Sequence, residues 1–114
     1  MFKNHIKYRA KILWVDDEID MLKSHMLFLE KKGYSILGIN SAEEALEILK
    51  SDSFDILLLD ENMNGMDGIS ALKEIKTNYK NIPVIMITKN EEEWLMDEAI
   101  GYKADNFLTK PFNP

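Results

Sequence analysis

Residues 56–60 read Ile56-Leu57-Leu58-Leu59-Asp60, four apolar residues in succession followed by a carboxylate. A strand with one solvated face alternates apolar and polar positions, whereas a parallel strand covered on both faces is apolar throughout. The run therefore predicts a buried parallel strand over Ile56–Leu59. Two runs of the same kind, Ile12–Val15 and Val84–Ile87, lie on either side of it in the sequence. Three such strands predict a sheet with helices on both faces.

Amphipathic stretches fill the intervals between the apolar runs. The first half of the chain predicts strand Ile12–Val15, a helix carrying Ile19, Leu22, Met26 and Leu29 up to Lys32 and closed by Gly33, strand Tyr34–Ile39, and a helix that begins with a capping box of Ser41 and Glu44 and carries Ala45, Leu46 and Leu49. The second half predicts strand Ile56–Leu59, the loop Glu61–Gly68, a helix with Ile69, Leu72 and Ile75, strand Val84–Ile87, a helix Glu91–Ile100 with Asn90 as its N-cap, and strand Asn106–Leu108. Alternating strands and helices indicate an α/β fold with a doubly wound parallel sheet of five strands.

Composition narrows the class of protein. The 114 residues predict one domain over 1–114, and 46% apolar residues can supply its core. A formal net charge of −6 argues against direct binding to nucleic acid and suits a site that collects a cation. There are no cysteines, so a thiolate metal site is excluded. Neither a signal-peptide core nor an apolar run of about 20 residues is present, and we expect a soluble cytoplasmic protein without membrane contact.

Polar residues follow four of the predicted strands. Asp16 and Asp17 end the first, Asp60 the third and Thr88 the fourth, while Lys110 follows the fifth. Ligands of open parallel sheets bind beyond the carboxyl ends of the strands. In the strand order 2-1-3-4-5 these residues share one cleft.

Three carboxylates in one cleft repel each other unless a cation is present. A hard dication with oxygen ligands answers that need, and Mg²⁺ is the usual choice. One carboxylate can then attack phosphorus, with Lys110 and Thr88 contacting the transferred group. The pattern indicates phosphoryl transfer by positioning and electrostatics.

Four segments, in this order and spacing, resemble the receiver domains of two-component response regulators, which have a flavodoxin-like fold. They are Ile12-Leu13-Trp14-Val15-Asp16-Asp17-Glu18, Asp60-Glu61-Asn62-Met63-Asn64-Gly65-Met66-Asp67-Gly68, Ile85-Met86-Ile87-Thr88 and Lys110-Pro111-Phe112. The resemblance covers about Lys11 to Asn113. The runs ILWVDDEIDMLKSHMLFLEKKGY and MITKNEEEWLMDEAIG are also similar to receivers of the PorX type, which precede a phosphatase-like effector domain.

The resemblance implies a role for each site residue. Asp60 would be the phosphoacceptor and a metal ligand. Asp17 would bind Mg²⁺ directly (Mn²⁺ can substitute), Asp16 through water and Asn62 through its backbone carbonyl. Thr88 would be the switch hydroxyl and Lys110 the phosphate-contacting cation, preceding a cis bond to Pro111. Phe107 matches the aromatic position whose rotamer reports the switch.

The same resemblance implies partners. These are a sensor histidine kinase or phosphotransfer protein, a downstream effector, and a second copy bound through the face of the fourth helix and fifth strand. The family commonly has proline where this chain has Asn64, so we expect a less rigid loop. Such a domain is a switch and not an enzyme acting on external substrates.

Two other functions stay open at this point. One is a Mg²⁺-dependent phosphohydrolase of the haloacid-dehalogenase type, although such enzymes place a second acid where this chain has Asn62. The other is a docking module that works without phosphorylation.

A last expectation concerns the end of the chain. Receivers close with a fifth helix, for which no sequence follows Pro114. We therefore expect a fragment of a longer regulator, with an uncovered apolar strip that includes residues such as Leu13, Val15, Ile56 or Leu58.

Overall fold

The computed structural model describes residues 9–61, 63, 65–88 and 106–109, the last four as a strand backbone. Within these residues the elements are β1 (Lys11–Val15), a 3-10 turn (Ile19–Leu22), α1 (Lys23–Lys31), β2 (Ser35–Ile39), α2 (Ala42–Leu49), β3 (Ile56–Asp60), α3 (Gly68–Asn78), β4 (Val84–Thr88) and β5 (Asn106–Thr109). The strands form a parallel five-stranded sheet in the order β2-β1-β3-β4-β5. The predicted fold class and strand order are confirmed. The predicted helix Glu91–Ile100 lies outside the described residues.

Successive strand residues face opposite sides of the sheet, because strand side chains alternate. On one side Leu13, Val15, Leu57 and Leu59 form a buried cluster with residues of α2 and α3. On the other side a second cluster surrounds Ile12, Trp14, Leu58 and Ile87, with residues of the 3-10 turn and α1 packed against it. Helices therefore cover both faces of the described sheet, as a doubly wound fold requires.

The expected uncovered strip is wrong. Leu13 and Val15 are fully buried, and they face α2 and α3 rather than the side of α1. Leu58 does lie on the α1 side, but it is 8% exposed, and Ile56 beside it is half-buried. The run Ile12–Val15 is apolar at every position, so its sequence does not tell which residue faces which side.

The first predicted helix begins differently from the expectation. Ile19–Leu22 forms a 3-10 turn, in which the amide of Met21 donates to the carbonyl of Glu18 at 2.9 Å, and α1 starts at Lys23. The end agrees with the prediction, since Gly33 has φ of 100°. Tyr34 donates its amide to Leu29 at 3.1 Å as part of this helix end. This bond explains why β2 starts at Ser35 and not at Tyr34.

Side-chain caps fix the starts of α2 and α3. The Ser41 hydroxyl accepts from the amide of Glu44 at 3.2 Å, which confirms the Ser41 half of the predicted capping box. The Asp67 carboxylate accepts from the amide of Ser70 at 2.8 Å. Each cap satisfies an amide that has no partner within its helix.

The amino ends of β1 and β3 are joined by charged groups. Lys11 Nζ lies 2.7 Å from Asp52 Oδ1, and the Lys11 amide donates to Asp55 Oδ2 at 2.7 Å. The hydrogen bond from the Lys11 side chain, together with the amide of Ser53, lowers the pKa of Asp52 below its ordinary value of 3.8. A lowered folded-state pKa gives stability that is present above the ordinary pKa and is lost as the pH falls through the folded value. The pair is exposed, so the contribution is small.

None of the described helices is long and apolar enough to cross a membrane.

Candidate functional site

Buried polar side chains collect at the carboxyl edge of the sheet. Among the residues whose burial is described, three polar or charged side chains are buried: Asp16 at 0% exposure, Asp60 at 3% and Thr88 at 2%. Each stands at or directly after the end of a strand. The registers Val15 with Leu59 and Asp60 with Ile87 bring these ends together. Burying a charged group is costly without compensating partners, so its repeated occurrence at one edge indicates function rather than packing.

The turn after β1 brings three carboxylates close together. One oxygen atom from each of Asp16, Asp17 and Glu18 lies within 4.8 Å of the others. Asp16 Oδ1 accepts from the amide of Glu18 at 2.8 Å, which fixes that carboxylate against its own turn. Asp17 is half-buried and Glu18 is exposed. All donors are oxygen atoms of hard, charged groups, and such a set fits a hard dication such as Mg²⁺.

The start of α3 packs directly on the end of β3. The Gly68 amide donates to the carbonyl of Glu61 at 3.1 Å. A side chain at position 68 would overlap the carbonyl oxygen of Asp60 and the Cα of Glu61. The missing side chain therefore permits a close approach that sets the backbone position of Asp60.

The loop between β3 and α3 is held from both ends. Met63 is buried in the cluster under α2 and α3. The Met66 amide donates to Glu43 Oε2, on the first turn of α2, at 3.1 Å. Gly65, at φ of 78°, presses so closely on Glu43 that a Cβ would lie 2.9 Å from the same carboxylate oxygen. These contacts restrain the loop around position 64; the effect of Asn64 itself lies outside the described residues and stays a prediction.

A second carboxylate stands beside Asp60. Glu61 Oε1 accepts a hydrogen bond from Thr88 Oγ1 at 3.2 Å. Sequence reasoning missed Glu61 and Glu43, because each contacts a residue far along the chain. The glycine at position 65 is a local sequence signal for a turn in this loop, but it does not identify Glu43 as the partner.

The other predicted site residues are described in part or not at all. Phe107 lies in β5 opposite Met86, and Thr109 lies opposite Thr88. Lys110, which follows Thr109, and Asn62 lie outside the described residues. The predicted cis bond to Pro111 does too.

Comparison with known proteins agrees with this geometry. The family model for the response regulator receiver domain matches residues 12–114. The transcriptional regulatory protein YvrH of Bacillus subtilis (strain 168) is 41% identical over 111 residues, which cover 92% of this chain and 44% of YvrH. The chain thus spans less than half of that relative.

Solved structures show the same likeness. The Vibrio cholerae chemotaxis protein CheY4 has a TM-score of 0.86 at 32% identity, covering 92% of this chain and 89% of CheY4. The response regulator TrrA from Thermotoga maritima, in complex with Mg²⁺ and BeF, has a TM-score of 0.79 at 31% identity, covering 90% of this chain and 88% of TrrA. The chain therefore belongs to the response regulator receiver domain family, the signalling modules of two-component systems.

Proposed function

We propose that this receiver domain accepts a phosphoryl group on Asp60 from a histidine kinase or phosphotransfer protein, in a reaction that needs Mg²⁺. The observation that carries the proposal is the set of buried polar residues, Asp16, Asp60 and Thr88, at one edge of an otherwise apolar sheet. A buried carboxylate beside other acids is poised to act as a nucleophile once a cation balances the charge.

The proposed metal ligands are Asp17 directly, Asp16 through water, Asp60, and the backbone carbonyl of Asn62. Asp16 is fully buried with one oxygen engaged by the Glu18 amide, whereas Asp17 is half-buried and more accessible to an ion, which supports Asp17 as the direct ligand. Bound Mg²⁺ would neutralise the carboxylates and the phosphoryl oxygens. The Mg²⁺ complex of TrrA supports this choice of ion. Mn²⁺, with similar ligand preferences, can substitute.

In the proposed step an Asp60 carboxylate oxygen attacks the phosphorus of a phosphohistidine. The new O–P bond forms as the P–N bond breaks, its electron pair goes to the imidazole nitrogen, and that nitrogen takes up a proton. Asp60 is 3% exposed, so little water contacts its carboxylate and electrostatic interactions with it are strengthened. Lys110 would pair with the phosphoryl oxygens and Thr88 would donate a hydrogen bond to one of them.

The output follows from the movement of Thr88. Its approach to the phosphoryl group would let Phe107, which lies opposite Met86 in the sheet, turn inward. The altered surface would then bind an effector or a second copy through the fourth helix and β5, in the cytoplasm. The narrower resemblance to PorX-type receivers stays a prediction.

Acetyl phosphate with Mg²⁺ tests the phosphoacceptor. Intact-mass measurement should show one added phosphoryl group on the wild type and none on Asp60→Asn. Asp20→Asn, an exposed acid in the 3-10 turn, is the matched control and should label like the wild type. Equal labelling of the wild type and Asp60→Asn would rule out Asp60. Sustained release of phosphate from an added phosphomonoester would instead favour a phosphohydrolase.

A further inference from the structure

The hydrogen bond between Thr88 and Glu61 lies inside the proposed switch. Thr88 Oγ1 donates to Glu61 Oε1 at 3.2 Å; Thr88 is buried, and Glu61 is half-buried. The backbone fixes this pairing, because the Glu61 amide donates to the carbonyl of Ile87 at 2.9 Å. That bond extends the ladder between β3 and β4 one residue beyond Asp60. Glu61 therefore stands beside Thr88, as Asp60 stands beside Ile87.

The alternation of side chains along β3 and β4 places the side chains of Asp60 and Thr88 on opposite faces of the sheet. Asp60 follows Leu58 in the alternation of β3, on the side of α1, whereas Thr88 follows Met86 in the alternation of β4, on the side of α2 and α3. A Thr88 hydroxyl bonded to Glu61 is thus turned away from the atoms that would carry a phosphoryl group.

A threonine hydroxyl has one hydrogen to donate. Glu61 and a phosphoryl group on Asp60 are both anionic acceptors, so Thr88 can donate to one of them at a time. The backbone of Glu61 is held on both sides, so its carboxylate can move only by side-chain rotation. Its amide bonds to Ile87, and its carbonyl accepts from Gly68 at 3.1 Å.

We propose that Glu61 is a positioning residue that holds the Thr88 hydroxyl in the unphosphorylated state and competes with the phosphoryl group for it. This inference rests on the proposed function of Asp60. Glu61 then sets the equilibrium between the two states, since a change that weakens its bond favours the switched state before any phosphorylation.

A double-mutant cycle tests the competition. Fluoroberyllate with Mg²⁺ stands in for the phosphoryl group, and its half-saturating concentration is followed at the amide resonance of Asp17. Glu61→Ala should lower that concentration by a factor roughly ten-fold larger in the wild-type background than in Thr88→Val, because hydrogen bonds to charged acceptors are stronger than neutral ones. Removal of the Glu61 charge acts in both backgrounds, so the difference isolates the bond to Thr88.

Two further measurements separate positioning from general structural damage. The methyl resonance of Thr88 in the free protein should move toward its fluoroberyllate-bound position in Glu61→Ala. In Glu61→Gln, which keeps an acceptor oxygen in the same place, it should move by a smaller amount.

The outcomes distinguish the two proposals. If the wild type binds fluoroberyllate and Asp60→Asn does not, but Glu61→Ala acts equally in both backgrounds, Glu61 contributes charge repulsion alone and the positioning role is overturned. If Asp60→Asn binds fluoroberyllate as well as the wild type, the phosphoacceptor assignment fails and the competition fails with it.

Discussion

Gly68, at the start of α3, packs against the backbone of the proposed phosphoacceptor. Alanine is ordinarily the better residue in a helix, by roughly 0.5–1 kcal/mol relative to glycine. Here its Cβ would overlap backbone atoms of Asp60 and Glu61, which a buried strand end holds in place. We expect Gly68→Ala to lower the free energy of unfolding by roughly 1–3 kcal/mol, as overpacked sites do, in urea unfolding followed by circular dichroism.

The control for Gly68→Ala lies on the same helical turn. Ser70 is exposed. Only its backbone amide takes part in the helix cap, by donating to the Asp67 carboxylate, so its side chain can be removed without disturbing the cap. Ser70→Ala should therefore leave the free energy of unfolding within about 0.5 kcal/mol of the wild type. A stabilised Gly68→Ala would mean that the close approach does not restrict this position.

At the level of single residues, the sequence was sufficient to predict which residues end the strands. The positions of Asp16, Asp60 and Thr88 followed from apolar runs interrupted by a polar residue, which is a local pattern. Glu61 and Glu43 could not be found in this way, because their partners are brought to them by the sheet and by the packing of α2. Nothing near Glu61 in the sequence distinguishes it from a solvated acid of a loop.

Among the elements, α2 supports the loop that follows β3. Glu43 accepts from the Met66 amide, and without this acceptor the amide must find water. We expect Glu43→Ala to raise hydrogen exchange at the Met66 amide and to lower the free energy of unfolding by about 1 kcal/mol. Phosphorylation of Asp60 by acetyl phosphate should slow as well, because the loop carries the carbonyl of Asn62 proposed to bind the metal.

Glu44 supplies the matched control for Glu43. It lies in the same turn of α2, carries the same charge and is exposed. Glu44→Ala should leave exchange at the Met66 amide unchanged. If exchange at the Met66 amide rose equally in both variants, the charge of this turn, and not the Glu43 contact, would restrain the loop.

The bounds of the strands were predictable to within one residue, and the start of α1 was not. Strand bounds follow where apolar runs meet a polar residue or a glycine. The helical periodicity of Ile19 and Leu22 is the same whether the turn is 3-10 or α, since both place residues three apart on one side. The backbone bonds that the Asp16–Glu18 turn makes decide between them, and apolar spacing does not encode those bonds.

For the molecule as a whole, metal binding and folding are linked. An ion that binds the assembled cleft and not the unfolded chain stabilises the fold, by about 1.4 kcal/mol at ten times its dissociation constant. We expect Mg²⁺ to raise the melting temperature of the wild type by several degrees, and to raise that of Asp17→Asn much less. Without metal, Asp17→Asn should melt higher than the wild type, because it removes a repelling carboxylate.

Asp20→Asn controls for the loss of one acidic side chain. Asp20 is exposed in the 3-10 turn, outside the group formed by Asp16, Asp17 and Glu18. Its variant should keep the full Mg²⁺ response in differential scanning calorimetry. A response that survives Asp17→Asn undiminished would contradict the proposed ligands.

The architecture of the whole sheet was predictable, but the assignment of residues to its faces was not. The alternation of strand and helix predicted a doubly wound sheet, which the structure confirms. Leu13 and Val15 were expected on the uncovered side because an all-apolar strand carries no alternation from which its faces can be read. Contacts with α2 and α3, distant in sequence, decide that orientation.

The place of β1 between β2 and β3 also bears on how the chain comes together during synthesis. Ile12 pairs with Ile36 on one side and with Ile56 on the other. One edge of β1 therefore stays unpaired until β3, which is translated later, has been synthesised. Parallel pairs of this kind close long loops before they gain contacts, which slows folding relative to a helical bundle of similar size. Until β3 arrives, the nascent chain presents the open edge of an apolar strand, and such edges recruit other chains. The strand that carries the proposed phosphoacceptor, β3, is thus also the strand that pairs with the aggregation-prone edge of β1 in the nascent chain.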